Sequence, residues 1–121
     1  MKNNPLAEKS YSFALNIVQV YKKLTTDQKE YVLSKQLLRS GTSIGANVAE
    51  TNGAISKADF SAKISIAYKE SLETKYWLNL LKDADYVSEE IFTPLQNNAD
   101  ELSKILFSIL KKTRIDINPK G

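Results

Sequence analysis

The chain has 121 residues, 42% of them hydrophobic and 26% charged, and 17 Lys and Arg against 14 Asp and Glu give it a formal charge of +3. This is the composition of one globular domain, with a mild basic excess that permits contact with a polyanion without requiring it. Cysteine and histidine are both absent, which excludes disulfides, thiolate and imidazole chemistry, Cys/His zinc sites and the di-iron bundles that need Glu-x-x-His.

The N-terminus, MKNNPLAEKS, lacks the apolar core of a signal peptide, and no apolar run approaches the roughly 20 residues of a membrane span. The expectation is a cytoplasmic protein with no membrane partner, no cofactor and no metal. In chain order, Leu6, Phe13, Ile17, Val20 and Leu24 recur at helical spacing behind Asn4 as N-cap and Pro5 at the first helical position, which predicts a helix over about 5–24. Thr25-Thr26 reads as a short turn, with Thr25 and Gln28 as a capping box for a second helix over about 27–52.

That second helix presents Leu33, Leu37, Gly41, Ile44, Val48 and Asn52 on one face, through LLRSGTSIGANVAETNGA at 37–54. Glycine costs about 1 kcal/mol relative to alanine inside a helix, so either the helix breaks near Gly41 or the glycines serve packing. Gly41, Gly45 and Ala49, four apart, form a strip without bulk along which another helix can approach closely. Gln36, Ser40, Ser43, Asn47 and Glu50 line a polar stripe beside the core face of this helix, with Arg39 next to it.

Ser56 and Asp59 form a capping box for a third helix over about 57–83, with Phe60, Ile64, Ala67, Ser71, Thr74 and Leu78 on its core face. Ile66, Trp77, Leu80 and Ala84 form a second apolar stripe nearly opposite, interrupted by Glu70 and Glu73 and widened by Leu72 and Tyr76. A helix apolar almost all round must be covered, either by a partner or by Trp77 folding over the rim of the chain's own core. Arg39, Ser43, Asn47, Glu50, Ile66, Glu70, Glu73, Trp77 and Leu80 are therefore the candidate interface, with Arg39 expected to pair with Glu70 or Glu73 across it. Ser88 caps a fourth helix over about 89–113, in which Pro94 marks a kink or a late regular start, and the tail is read as frayed. The fold class is all-α, an up-down-up-down four-helix bundle.

RSGTSIGANVAE followed by ESLETKYWL resembles the bacterial four-helix bundle proteins that include those encoded by intervening sequences of large-subunit ribosomal RNA genes. The accessory variability determinant proteins of diversity-generating retroelements are similar. The resemblance spans nearly the whole chain. It implies a homopentameric ring, no known catalysis, a basic surface engaging RNA or DNA and, in the retroelement branch, a reverse transcriptase as partner.

The leading expectation is a non-enzymatic assembly that binds RNA or DNA or scaffolds such a partner. Lys22, Lys23, Lys29, Lys35, Arg39, Lys57, Lys63, Lys111, Lys112 and Arg114 are candidate phosphate contacts, several of them near helix ends where they would gather on one rim. Aromatic residues interleaved for base stacking are not evident in the sequence. A purely structural or protein-interaction module is the alternative. A magnesium-dependent nucleotide hydrolase using Glu70 and Glu73 is a remote third, because the second acidic pair such enzymes need is missing.

Overall fold

The computed structural model describes residues 4–117, with side chains through Thr113. Four helices run α1 Pro5–Asp27, α2 Leu33–Glu50, α3 Lys57–Asp83 and α4 Glu89–Ile117, with a single 3-10 turn at Thr51–Gly53. No strand occurs among the described residues. The cross-helix contacts set the topology. Ser10 meets Gly45 while Ile17 meets Gly41, Lys63 meets Glu50 while Arg39 meets Glu70, and Ser61 meets Thr113 while Lys75 meets Asp100. In each pair of helices one number rises as the other falls, so neighbours are antiparallel and the bundle is up-down-up-down. Lys9 to Glu101 closes it between α1 and α4, and Gln28 to Tyr86 joins the α1–α2 turn to the α3–α4 turn.

Local chemistry fixes the ends. Asn4 Oδ1 accepts the Ala7 N–H at 3.2 Å, leaving Pro5 at the position where a missing N–H costs nothing. The first turn lies later than Thr25-Thr26. Thr25 Oγ1 donates to the Tyr21 carbonyl at 3.0 Å inside α1, and the chain reverses at Lys29, whose φ is 55°. α2 is capped instead by Glu30, whose carboxylate takes the N–H groups of Val32, Leu33 and Ser34 at 3.2, 3.1 and 2.7 Å. Threonine satisfies its own helix or begins the next with the same side chain, so its sequence signature is ambiguous.

α2 passes through Gly41 and Gly45 unbroken and stops at Glu50, so Asn52 falls in the 3-10 turn. Ser56 Oγ accepts the Asp59 N–H at 3.0 Å, while Asp59 takes the Ile55 N–H at 3.2 Å. α3 closes with Asp85 at φ 66° and the Tyr86 N–H on the Leu81 carbonyl, a left-handed C-terminal cap. α4 starts at Glu89 behind Ser88 and continues through exposed Pro94. It also runs on to Ile117, past the expected end at 113; residues 118–121 of the tail lie outside the described residues.

The core is one contiguous cluster centred on Phe13, Ile17, Leu24, Leu37, Ile44, Ile64, Leu78, Leu81, Leu102 and Leu106. Two hydroxyl pairs cross it: Thr74 to Ser40 at 3.0 Å between α3 and α2, and Ser71 to Ser103 at 2.7 Å between α3 and α4. Ser40 thus belongs to the core rather than to the polar stripe. A buried hydroxyl without a partner is costly, so each pair favours one register of its two helices.

Candidate assembly and nucleic-acid interfaces

Between α2 and α3, Arg39 sits against two carboxylates. Its guanidinium lies 3.1 Å from Glu70 Oε2 and bonds Glu73 as well, and Glu73 also accepts the Trp77 indole N–H at 2.9 Å. The hydrogen bond from Trp77, then that from Arg39, holds the Glu73 carboxyl below its ordinary range, and Glu73 followed by Glu70 pushes Arg39 up. The expected Arg39 pair therefore forms within one chain, because antiparallel packing puts residue 39 level with residues 70 and 73. Ser43 and Asn47 bond back to carbonyls of their own helix, and Glu50 takes Lys63 at 2.7 Å.

The glycine strip is likewise used inside the chain. A Cβ on Gly41 would lie 2.8 Å from Ile17 Cγ1, and one on Gly45 would lie 3.2 Å from the Ser10 carbonyl oxygen. The helix that approaches closely is α1. Ala49 is exposed and lines an apolar groove with Ala7, Tyr11, Ala14 and Ala46.

On the outward face of α3, Trp77 is half-buried over the rim of the core with its ring edge-on to Tyr76, and Leu80 is half-buried. The exposed apolar surface is carried by Ile66, Leu72 and Tyr76, at 43%, 42% and 60% exposure. Phe107 of α4 continues it, with its ring 5.6 Å from Tyr68 and Lys111 Nζ 5.5 Å above its face. Phe107 reads from sequence as one more apolar residue of an amphipathic helix, and only its neighbour across the helix pair distinguishes it.

The candidate cations do not share one rim. Lys22, Lys23, Lys29 and Lys35 stand at the end holding the α1–α2 and α3–α4 turns, and Lys57, Lys63, Lys111 and Lys112 at the opposite end. The C-termini of α1 and α4 point in opposite directions, which separates the lysines they carry. The side chain of Arg114 lies outside the described residues. Arg39 and Lys63 are engaged in ion pairs, whereas Lys22, Lys23, Lys29, Lys35 and Lys57 form none among the described residues.

Glu70 and Glu73 are turned to Arg39 and Trp77, which opposes the hydrolase alternative. A guanidinium and an indole N–H occupy the positions a cation would need. No group of three potential metal-ligating side chains occurs among the described residues, and no described helix is long and apolar enough to cross a membrane.

An antiparallel four-helix bundle whose third helix is apolar on two faces defines a class of small all-α proteins. Residues 2–108 match the 23S rRNA-intervening sequence protein family, and the chain belongs to that family. It is similar to a crystal structure of a protein of unknown function from the S23 ribosomal protein family of Bacteroides thetaiotaomicron VPI-5482. The two share 50% identity with a TM-score of 0.87, over 92% of this chain and 99% of that one. No curated protein matches the chain.

Proposed function

We propose that this chain is a non-enzymatic, self-assembling bundle that forms a homopentameric ring and offers basic surfaces to RNA or DNA, alone or with a nucleic-acid-processing partner such as a reverse transcriptase. The observation that carries the reading is the outward face of α3. Ile66, Leu72 and Tyr76 lie exposed beside an ordered Arg39-Glu70-Glu73-Trp77 network, the combination of apolar centre and polar rim found at protein interfaces. Lysines that form no ion pair among the described residues, found at both ends, and a family name that refers to 23S rRNA support the nucleic-acid half.

Native mass spectrometry at low salt, with and without added RNA, tests this on the wild type and on the double variant Ile66→Glu/Tyr76→Glu. The wild type is expected at five times the chain mass with RNA attached. The variant, altered only at residues exposed in the single bundle, is expected as a folded monomer. A variant that still assembles, or a monomeric wild type, refutes the interface. A fivefold mass that takes up no nucleic acid leaves a protein scaffold, the reading favoured by the engagement of Arg39 and Lys63 inside the chain.

A further inference from the structure

In the α1–α2 turn the Glu30 carboxylate is engaged with the start of α2, while Lys29, Tyr31 and Val32 are exposed. Glu30 spends its carboxylate on the N–H groups of Val32, Leu33 and Ser34. Partial burial acts to raise its pKa, but the bonds from Ser34, Leu33 and Val32 outweigh this and keep it below the ordinary value, so its charge is held against the start of α2. What remains at the tip is Lys29, Tyr31 at 56% exposure and Val32 at 72%. Lys22 and Lys35, both exposed, lie level with each other on the flanking helices, as the Ile17–Gly41 contact places residue 22 beside residue 36. Lys22, Lys29 and Lys35 join no ion pair among the described residues. Lys23 and Asp27 turn the other way, into a groove shared with Asp85 and Tyr86.

We infer that this tip is a contact for single-stranded nucleic acid, in which a base stacks on Tyr31 while Lys22, Lys29 and Lys35 hold the phosphates on either side. The inference rests on the nucleic-acid half of the function proposed above and names its site and strand form. An exposed aromatic among unpaired cations suits a polyanion whose repeating unit carries both a phosphate and a free flat face. A duplex offers no unpaired face to Tyr31. An anionic membrane is disfavoured by the same end of the bundle, because Asp83, Asp85, Glu89 and Glu90 crowd the α3–α4 turn. A flat surface would meet those acids together with the lysines, whereas a flexible strand can follow the α1–α2 edge and avoid them.

The test is fluorescence anisotropy of the full chain with a labelled single-stranded RNA and the matching duplex, over a series of salt concentrations. Tyr31→Ala is expected to weaken single-strand binding by roughly tenfold with the salt slope unchanged, and Tyr31→Phe to restore it. Lys22→Ala/Lys35→Ala is expected to lower the slope of log affinity against log salt by about 1.4, near 0.7 per phosphate contact. Circular dichroism of each variant reports that the bundle is intact. If Tyr31→Ala binds like the wild type while the lysine variant loses affinity, the stacking contact is wrong although nucleic-acid binding stands. If the wild type binds no RNA, the underlying reading fails as well. Binding to phosphatidylserine vesicles that needs Tyr31 and these lysines, without binding to RNA, would overturn the assignment in favour of a lipid surface.

Discussion

Replacing Gly41 with alanine puts a single methyl group where α1 and α2 touch. The added Cβ would stand 2.8 Å from Ile17 Cγ1 and 2.9 Å from Cγ2, closer than side-chain carbons approach in folded proteins. Ile17 is fully buried and β-branched, so it has essentially one rotamer in a helix and cannot swing aside. Overpacking of this kind costs about 1–3 kcal/mol, while alanine in place of glycine returns about 1 kcal/mol of helix preference. The net expectation is a loss of about 1 kcal/mol. In an Ile17→Ala background the two γ carbons are gone, the new methyl fills vacated space, and the same substitution should stabilise by about 1 kcal/mol. The two values imply a coupling of about 2 kcal/mol, readable from a double-mutant cycle. Urea unfolding followed by far-UV circular dichroism would show a midpoint lower by on the order of 0.5 M for Gly41→Ala alone. All four proteins must be compared at one concentration, because association adds to apparent stability. A midpoint that rises for Gly41→Ala in the wild-type background, as it would for an open helical glycine, refutes the seating of Ile17 on Gly41.

Glu30→Ala should cost about 0.5–2 kcal/mol through loss of the α2 cap, measured by the same unfolding assay. Because the folded-state pKa of Glu30 is lowered, its charge-dependent contribution is present above the ordinary glutamate value near 4.3 and is lost as pH falls through the folded-state value. The gap between wild type and Glu30→Ala should therefore narrow in acid, and a gap that widens there would show that the carboxylate is not the cap. Ser71→Ala leaves Ser103 without its partner and should cost about 1–3 kcal/mol, whereas Ser71→Ala/Ser103→Ala should cost less than the two single changes added together; additive losses would mean the two hydroxyls do not pair.

The sequence by itself determined the helices and their inward faces. Leu6 to Leu24, Leu37 to Val48 and Ile64 to Leu78 repeat at three and four residues, and a stripe of that spacing has only one way to leave water, on a helix. It determined the family too, through RSGTSIGANVAE followed by ESLETKYWL, which lie within the residues the family model matches. It left the turn between α1 and α2 ambiguous, since Thr25 can bond backward or forward, and Glu30 is an unusual cap with no pattern to announce it. Tyr31 gained its exposed place at the tip only when that turn moved to residues 28–32. Tertiary structure alone decided which helix lies on Gly41, that Arg39 meets Glu70 and Glu73 of its own chain, and that the lysines divide between two ends. Periodicity fixes which way a side chain points from its own helix axis. What it points at depends on the direction and level of a neighbour tens of residues away, and those are set by the packing of the whole bundle.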